Sequence, residues 1–453
     1  MARSRYLSLD ILRGMTVALM ILVNNPGSWA TIYAPFKHAA WHGFTLTDLV
    51  FPTFLFVVGN AMSFSFKKMN SWSTPEFLTK TFKRAAIIFL IGLGLSYYPF
   101  VRRTDGEFII KNILDIRIMG VLQRIAVCYL LAAIAIRFLK KKWLVVLSVF
   151  ILLLYWFLLW YFGGSAPYSL EANAALKFDL LVFNEENLYH GFGIPFDPEG
   201  LLSCLPAVVN VIFGYLAGRF IQQSVNKKKL VIQLVIVGLA MISLALVWDV
   251  ILPVNKPIWT SSYVILSTGW DFIILGALIG ILEIAEFKSW SRFFEPFGKN
   301  PLFIFVLSGV VVLTMGLIFI GDTSLKGWIY QNVFLSWLSP YNASLLYALL
   351  FLILMWLIAY ILDKKKIRIN GIVADNISVD SGQSGLGDDG KLNVNSFYAH
   401  VRLMQRGLIF VENATNLGQL ALAKPGSCTL VVGALKHVGG AGGPSRVMAL
   451  CEQ

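Results

Sequence analysis

The sequence predicts an all-α polytopic integral membrane protein with about ten spanning helices, followed by a short α/β or β-rich soluble fragment. Three observations carry that prediction. Of the 453 residues, 57% are hydrophobic and only 14% charged; the apolar residues gather into runs of span length; and Lys and Arg cluster in alternate connections. A soluble domain carries about 25% charged residues. The net charge of +13 does not point to nucleic acid, because the basic residues sit in short groups between apolar runs, as topology signals do.

A span needs about 20 predominantly apolar residues. Spans are read near 8–25, 48–66, 84–100, 118–138, 143–162, 200–221, 230–252, 262–284, 301–320 and 343–362, the third being the weakest. The first contains Asp10 and Arg13 and is followed by no small-residue cleavage site, so it is expected as a retained span, not a signal peptide. One set of connections holds Arg3 and Arg5, Lys67 and Lys68 with Lys80, Lys83 and Arg84, Lys140 to Lys142, Lys227 to Lys229, Lys288 with Arg292 and Lys299, and Lys364 to Lys366. The opposite set (26–47, 163–199, the turn at Pro253, and 321–342) is poor in basic residues, with Arg102, Arg103 and Lys111 as exceptions. The positive-inside rule then puts both termini in the cytosol. Cys128, Cys204, Cys428 and Cys451 show no CxxC spacing, so neither a disulfide framework nor a zinc site is expected.

Polar groups inside spans mark the chemistry. A charge there costs about 2.5–3.5 kcal/mol on an insertion scale and faces a cavity or a partner. Asp10 and Arg13 share a helix face and read as an ion pair, a snorkelling pair or part of a site. Arg124, in Gly120-Val121-Leu122-Gln123-Arg124, points to a water-filled cavity or an anionic ligand. The loop after the first span runs from Asn24-Asn25-Pro26-Gly27 to His38-Ala39-Ala40-Trp41-His42-Gly43 and Asp48, and holds two of the chain's five histidines. Three readings stay open for it. His38, His42 and Asp48 are metal ligands; or the histidines and tryptophans are interfacial; or one histidine is a general base, with Asn24 or Asn25 orienting it or donating to an oxyanion.

Several blocks resemble the heparan-α-glucosaminide N-acetyltransferase family. They are Ser8-Leu9-Asp10-Ile11-Leu12-Arg13-Gly14, Val23-Asn24-Asn25-Pro26-Gly27, His38-Ala39-Ala40-Trp41-His42-Gly43 through Asp48-Leu49-Val50-Phe51-Pro52, Gly120 to Arg124, Phe196-Asp197-Pro198-Glu199-Gly200-Leu201-Leu202, and Asn255-Lys256-Pro257-Ile258-Trp259-Thr260-Ser261-Ser262-Tyr263. The resemblance covers residues 1–368 and implies a transmembrane acyltransferase moving acetyl from cytosolic acetyl-CoA to the amine of a terminal glucosamine or related amino sugar. It places the catalytic histidine on His38 and a catalytic asparagine on Asn24. Arg124, Lys256 and Arg13 are candidates for the CoA phosphates, on charge alone. Asp48, Asp197 and Glu199 are candidates to orient the amine or sugar hydroxyls. Acetyl-CoA is the expected co-substrate, with no metal. The expected partners are an amino-sugar or glycan acceptor and the lipid bilayer, with a homodimer allowed and no nucleic acid. The expected location is a cell inner membrane. The rival from a different class is a transporter of a small anionic or sugar substrate on the same helices.

Composition changes after Lys364-Lys365-Lys366, and residues 369–453 read as a separate soluble tail. Ile377 to Ser384, Gly407 to Leu417 and Gly443 to Val447 resemble the C-terminal part of the cyclase family that includes kynurenine formamidase-like hydrolases. His400 and Glu412 match that family's final active-site pair in type and spacing. Its upstream His-x-Gly-Thr-His-x-Asp-x-Pro block is missing, so the tail is expected to be incomplete as a hydrolase.

Overall fold

Helices begin and end where the sequence supplies caps and breakers. Ser73 opens one by accepting a hydrogen bond from the Glu76 amide, with Pro75 in the first turn. Asn226 opens another by accepting from the Lys229 amide. Pro26 stops the first helix, because a residue before proline is pushed away from helical geometry. The computed structural model describes residues 6–69, 71–104, 107–365, 367, 428–433 and 446–451. The chain divides into two units, Met1–Ala374 and Asp375–Gln453.

The first unit is built of α1 (Leu7–Asn24), α2 (Leu46–Met69), α3 (Thr74–Tyr97), the antiparallel pair β1 (Val101–Thr104) and β2 (Glu107–Ile110), α4 (Val121–Phe138), α5 (Lys141–Phe162), α6 (Ala174–Val182), α7 (Cys204–Gln223), α8 (Lys227–Asp249), α9 (Ser261–Ile279), α10 (Glu295–Lys299), α11 (Pro301–Leu317), the short pair β3 (Phe319–Ile320) and β4 (Thr323–Ser324), α12 (Leu325–Trp328) and α13 (Pro340–Lys364). A helix occupies each expected span. Among the described residues, eight are long and apolar enough to cross a membrane: α1, α2, α4, α5, α7, α8, α9 with its continuation to Ile284, and α13. The other two are α3 and α11. Lys80, Lys83 and Arg84 lie in the first half of α3 and dilute its apolar stretch, and α11 has 17 residues.

The bundle closes through glycines. A Cβ on Gly59 of α2 would lie 1.8 Å from the Val211 carbonyl oxygen, and one on Gly214 of α7 would lie 1.9 Å from that of Phe56. The α2 and α7 backbones therefore touch directly, as helices do in lipid, where close packing replaces the hydrophobic effect between them. Opposite faces of α5 and α8 carry exposed Val149, Phe150, Leu153, Ile232, Ile236 and Leu239, the composition of a lipid-facing surface.

The second unit contributes one described feature, the antiparallel pair β5 (Cys428–Gly433) and β6 (Arg446–Cys451), with Cys428 opposite Cys451. His400, Glu412 and the other residues that carry the cyclase resemblance lie outside the described residues, except Arg446 and Val447 in β6.

Candidate active site

One end of the bundle gathers almost every candidate residue, because the loops 25–45, 163–203 and 250–260 meet there. The Gly43 amide donates to the Val254 carbonyl at 2.8 Å. The Trp41 indole N–H donates to the Tyr168 carbonyl at 2.8 Å, and its ring packs edge-on against Phe192 and Phe196. These contacts fix a loop that has almost no regular structure of its own.

Asp48, in the first turn of α2, organises this end. Its Oδ2 accepts from the Ala39 amide at 3.1 Å, the Thr45 amide at 3.0 Å and the Thr45 hydroxyl at 2.9 Å. Its Oδ1 meets His38 Nδ1 at 2.6 Å. A carboxylate used four times as an acceptor calls for the proton on Nδ1, which leaves the lone pair of His38 on Nε2. Asp48 is 1% exposed and His38 44% exposed, so an anchored ring presents a basic nitrogen to the surroundings. On α9, the Tyr263 hydroxyl donates to the Asp48 carbonyl at 2.7 Å and ties that turn down.

Lys256 completes the group. Its Nζ lies 3.1 Å from His38 Nδ1, 3.3 Å from Nε2 and 3.9 Å from Asp48 Oδ1. Burial pulls the Lys256 ammonium below its ordinary range, against the opposing pull of Asp48 and Glu199. His42 stands aside. Its Nδ1 faces the Asn255 amide nitrogen at 3.3 Å, and burial lowers its proton affinity.

The acidic candidates are already engaged. Arg117 donates from Nε to Asp197 Oδ2 at 2.8 Å and from Nη2 to Asp197 Oδ1 at 2.6 Å, and it also reaches Glu199. Burial opposes the Arg117 charge, but the hydrogen bond to Asp197 and the charges of Glu199 and Asp197 more than offset it, so its affinity for the proton rises. Burial would also raise the Glu199 carboxyl; the charges of Arg117, Arg124 and Lys256 bring it below its usual range. Asp179, on α6, accepts from the Leu201 amide at 3.0 Å and the Leu202 amide at 3.3 Å through Oδ1, while its Oδ2 has no partner. Burial pushes that carboxyl up to about 7. Asp179 thereby holds the segment that carries Asp197 and Glu199, and Gly200 is required beside it: a Cβ there would lie 1.7 Å from Asp179 Oδ2.

Arg124 is completely buried in α4. Its Nη2 donates to the Gly200 carbonyl and the Ser203 hydroxyl, and its guanidinium sits 4.6 Å from the Trp259 ring centre. Its Nε and Nη1 have no partner. Trp259 takes a left-handed backbone (φ 51°), a conformation that costs a bulky residue on the order of 1–3 kcal/mol. Its indole N–H donates to Asn210 Oδ1 at 3.1 Å, which helps to hold it there.

Two expected members lie elsewhere. Arg13 forms an ion pair with Asp10 at 3.6 Å and donates to the Gly298 carbonyl at 3.0 Å, about 16 Å along α1 from Asn24. Asn24 is exposed at the end of α1 and makes no hydrogen bond to His38, whereas buried Asn25 donates to the Ile21 carbonyl at 2.6 Å. Arg117, Asp179 and Asn255 were not among the expected site residues. For Arg117 a signal existed, a lone cation at the edge of a span facing the acidic Asp197-Pro198-Glu199 segment. Asp179 had none, since one acid in an amphipathic helix looks like a solvated one.

The family match corresponds to "Heparan-alpha-glucosaminide N-acetyltransferase, catalytic" and runs over residues 5–244. The chain belongs to that family. The heparan-alpha-glucosaminide N-acetyltransferase of Homo sapiens is 26% identical over 359 residues, covering 67% of this chain and 52% of the human protein. The Mus musculus protein of the same name is 25% identical over 361 residues, covering 67% and 53%. This family member thus spans about half the length of these curated relatives. The catalytic match includes His38, Asp48, Arg117, Arg124, Asp179, Asp197 and Glu199. It stops within α8, before Asn255, Lys256, Trp259 and Tyr263, and it does not extend to the tail.

Proposed function

We propose that the protein is a transmembrane acetyltransferase that moves an acetyl group from acetyl-CoA to the amine of a terminal glucosamine or a related amino sugar. The observation that carries this reading is His38, oriented through Nδ1 by buried Asp48 and left with a basic Nε2. A neutral acceptor amine attacks the thioester carbonyl and passes one proton to His38 Nε2. The carbon–sulfur bond breaks, and the thiolate takes that proton back from the imidazolium. Asp48 is the orienting partner of the base in this scheme, not a sugar ligand. Lys256, beside Nε2, balances the Asp48 charge. The two unused donors of Arg124 are suited to an anionic group of the donor. Glu199 keeps Oε1 for the acceptor ammonium or a hydroxyl, while Asp197 serves to hold Arg117. Arg13 sits at the other end of α1 and takes no part at His38. Asn24 is assigned the oxyanion on the family resemblance alone, since no hydrogen bond ties it to His38.

By the charge of its connections, the end carrying His38 faces away from the cytosol, both termini are cytosolic and the membrane is a cell inner membrane. Residues 1–368 form the acetyltransferase domain and 369–453 a separate tail. The test is transfer from labelled acetyl-CoA to glucosamine by purified protein beside its His38→Ala variant. Transfer that disappears in the variant supports the reading. Acetyl-CoA binding without transfer points to a different acceptor, and neither binding nor transfer favours a transporter.

A further inference from the structure

We propose that Lys256 is itself an acyl acceptor, so that without amino sugar the protein acetylates its own Lys256 Nζ and closes its site. The inference rests on the acetyl-transfer reading above. An acceptor amine must come within hydrogen-bond reach of the base that deprotonates it. His38 Nε2 offers that lone pair, and Lys256 Nζ already stands 3.3 Å from it. The lysine is presented by a braced turn. The Asn255 amide donates to Thr260 Oγ1 at 3.0 Å, the Ile258 amide to Asn255 Oδ1 at 2.9 Å, and the Thr260 amide to the Asn255 carbonyl at 3.0 Å. Pro257 further restricts the backbone next to it. The Lys256 side chain is only 16% exposed. Its burial favours the neutral amine, which is the nucleophilic form.

The chemistry is that of the acceptor. The Nζ lone pair attacks the thioester carbonyl of acetyl-CoA, and one N–H proton passes to His38 Nε2. A carbon–nitrogen bond forms, the carbon–sulfur bond breaks, and the thiolate leaves with the proton from the imidazolium. The products are an Nζ-acetyl-lysine and free CoA. An amide does not return its acetyl group, so the event happens once per chain. It turns the amine beside Asp48 into a neutral amide that can no longer take up a proton, and it fills the place of the incoming amine. An amino sugar seated at His38 competes with it.

The experiment incubates the full chain in detergent with acetyl-CoA and no acceptor, then maps acetylation by peptide mass spectrometry. Lys256 is expected to gain one acetyl group ahead of the exposed Lys141 and Lys142, which report slow chemical acetylation by the thioester. Saturating glucosamine is expected to protect Lys256 and leave Lys141 and Lys142 unchanged. In His38→Gln the rate at Lys256 is expected to fall about a hundredfold, and Lys256→Arg abolishes the modification. A preparation that acetylates glucosamine while Lys256 stays unmodified overturns the proposal, as does modification at one rate with and without His38. Acetylation of neither glucosamine nor Lys256 removes the transferase reading and this inference together.

Discussion

His38 Nε2 keeps its lone pair only while Asp48 holds the proton on Nδ1, so the two side chains are expected to fail together. His38→Ala should lower transfer about 10²–10⁴-fold with no loss of fold. Asp48→Asn keeps the size of the side chain but offers an amide where an acceptor is needed, and should cost a comparable factor. His42→Ala should retain most activity, because that ring touches Asn255 and not the base. Steady-state rates on the three variants check this, and a reversed order for His38 and His42 would dismiss the assignment. Asp179 makes a different prediction, through pH. Its carboxyl is raised to about 7 in the folded protein and lies near 3.9 when unfolded. The folded state therefore binds the proton more tightly between those values. The stability it contributes is present in full below about pH 4 and falls away as pH rises through about 7. Melting of wild type and Asp179→Asn from pH 4 to pH 8 should show the slope reduced in the variant.

Between helices the informative residues are the ones without side chains. Gly214→Ala pushes a methyl group into the Phe56 carbonyl and must spread α2 and α7, at a cost of about 1–3 kcal/mol or more. Gly94→Ala, on α3, meets nothing within 4 Å and should be neutral or stabilising by up to about 1 kcal/mol. Apparent melting temperatures of the two variants separate a backbone contact from mere helix propensity. At this scale the sequence was most legible. Runs of apolar residues and caps such as Ser73 and Asn226 act locally, so α1, α2 and α5 could be placed from neighbouring residues alone. The Asp48 network was not legible as a network. His38 and Asp48 are close in the chain, but Lys256 and Tyr263 join them only because α2 and α9 pack together. The ion group of Arg117, Asp197 and Glu199 was hidden for the same reason. Asp197 and Glu199 were expected at the site and Arg117 was not, because their mutual satisfaction depends on α4 and α6 bringing two loops to one place. The family resemblance supplied the role expected of His38; it did not supply Asp48 as its partner.

For the molecule as a whole, the basic connections and the candidate site define two faces. Lys140 to Lys142 and Lys227 to Lys229 are expected on one side of the membrane and Thr31 and Ser165 on the other. Single cysteines at Lys228 and Ser165, probed with an impermeant thiol reagent in sealed vesicles, should label from opposite sides; labelling of both from one side would invert or break the topology. The division of the chain after Ala374 carries a second expectation. Protein ending at residue 374 should melt and transfer acetyl as the full chain does, and a tail essential to the bundle would show as lost helix content in circular dichroism.

The contact between Lys256 Nζ and His38 Nε2 spans 218 residues of chain, and that separation has a meaning in time. A ribosome adding about 5–20 residues per second makes the histidine roughly 10–45 s before the lysine. Through that interval the newborn protein has the His38 loop but no α9 whose Tyr263 can tie down the turn of Asp48. Chains arrested before residue 256 should therefore show an unprotected loop to proteases, while chains arrested beyond α9 should not. Activity would thus switch on late in biogenesis, after most of the helices are in the bilayer and the reactive end has been walled in.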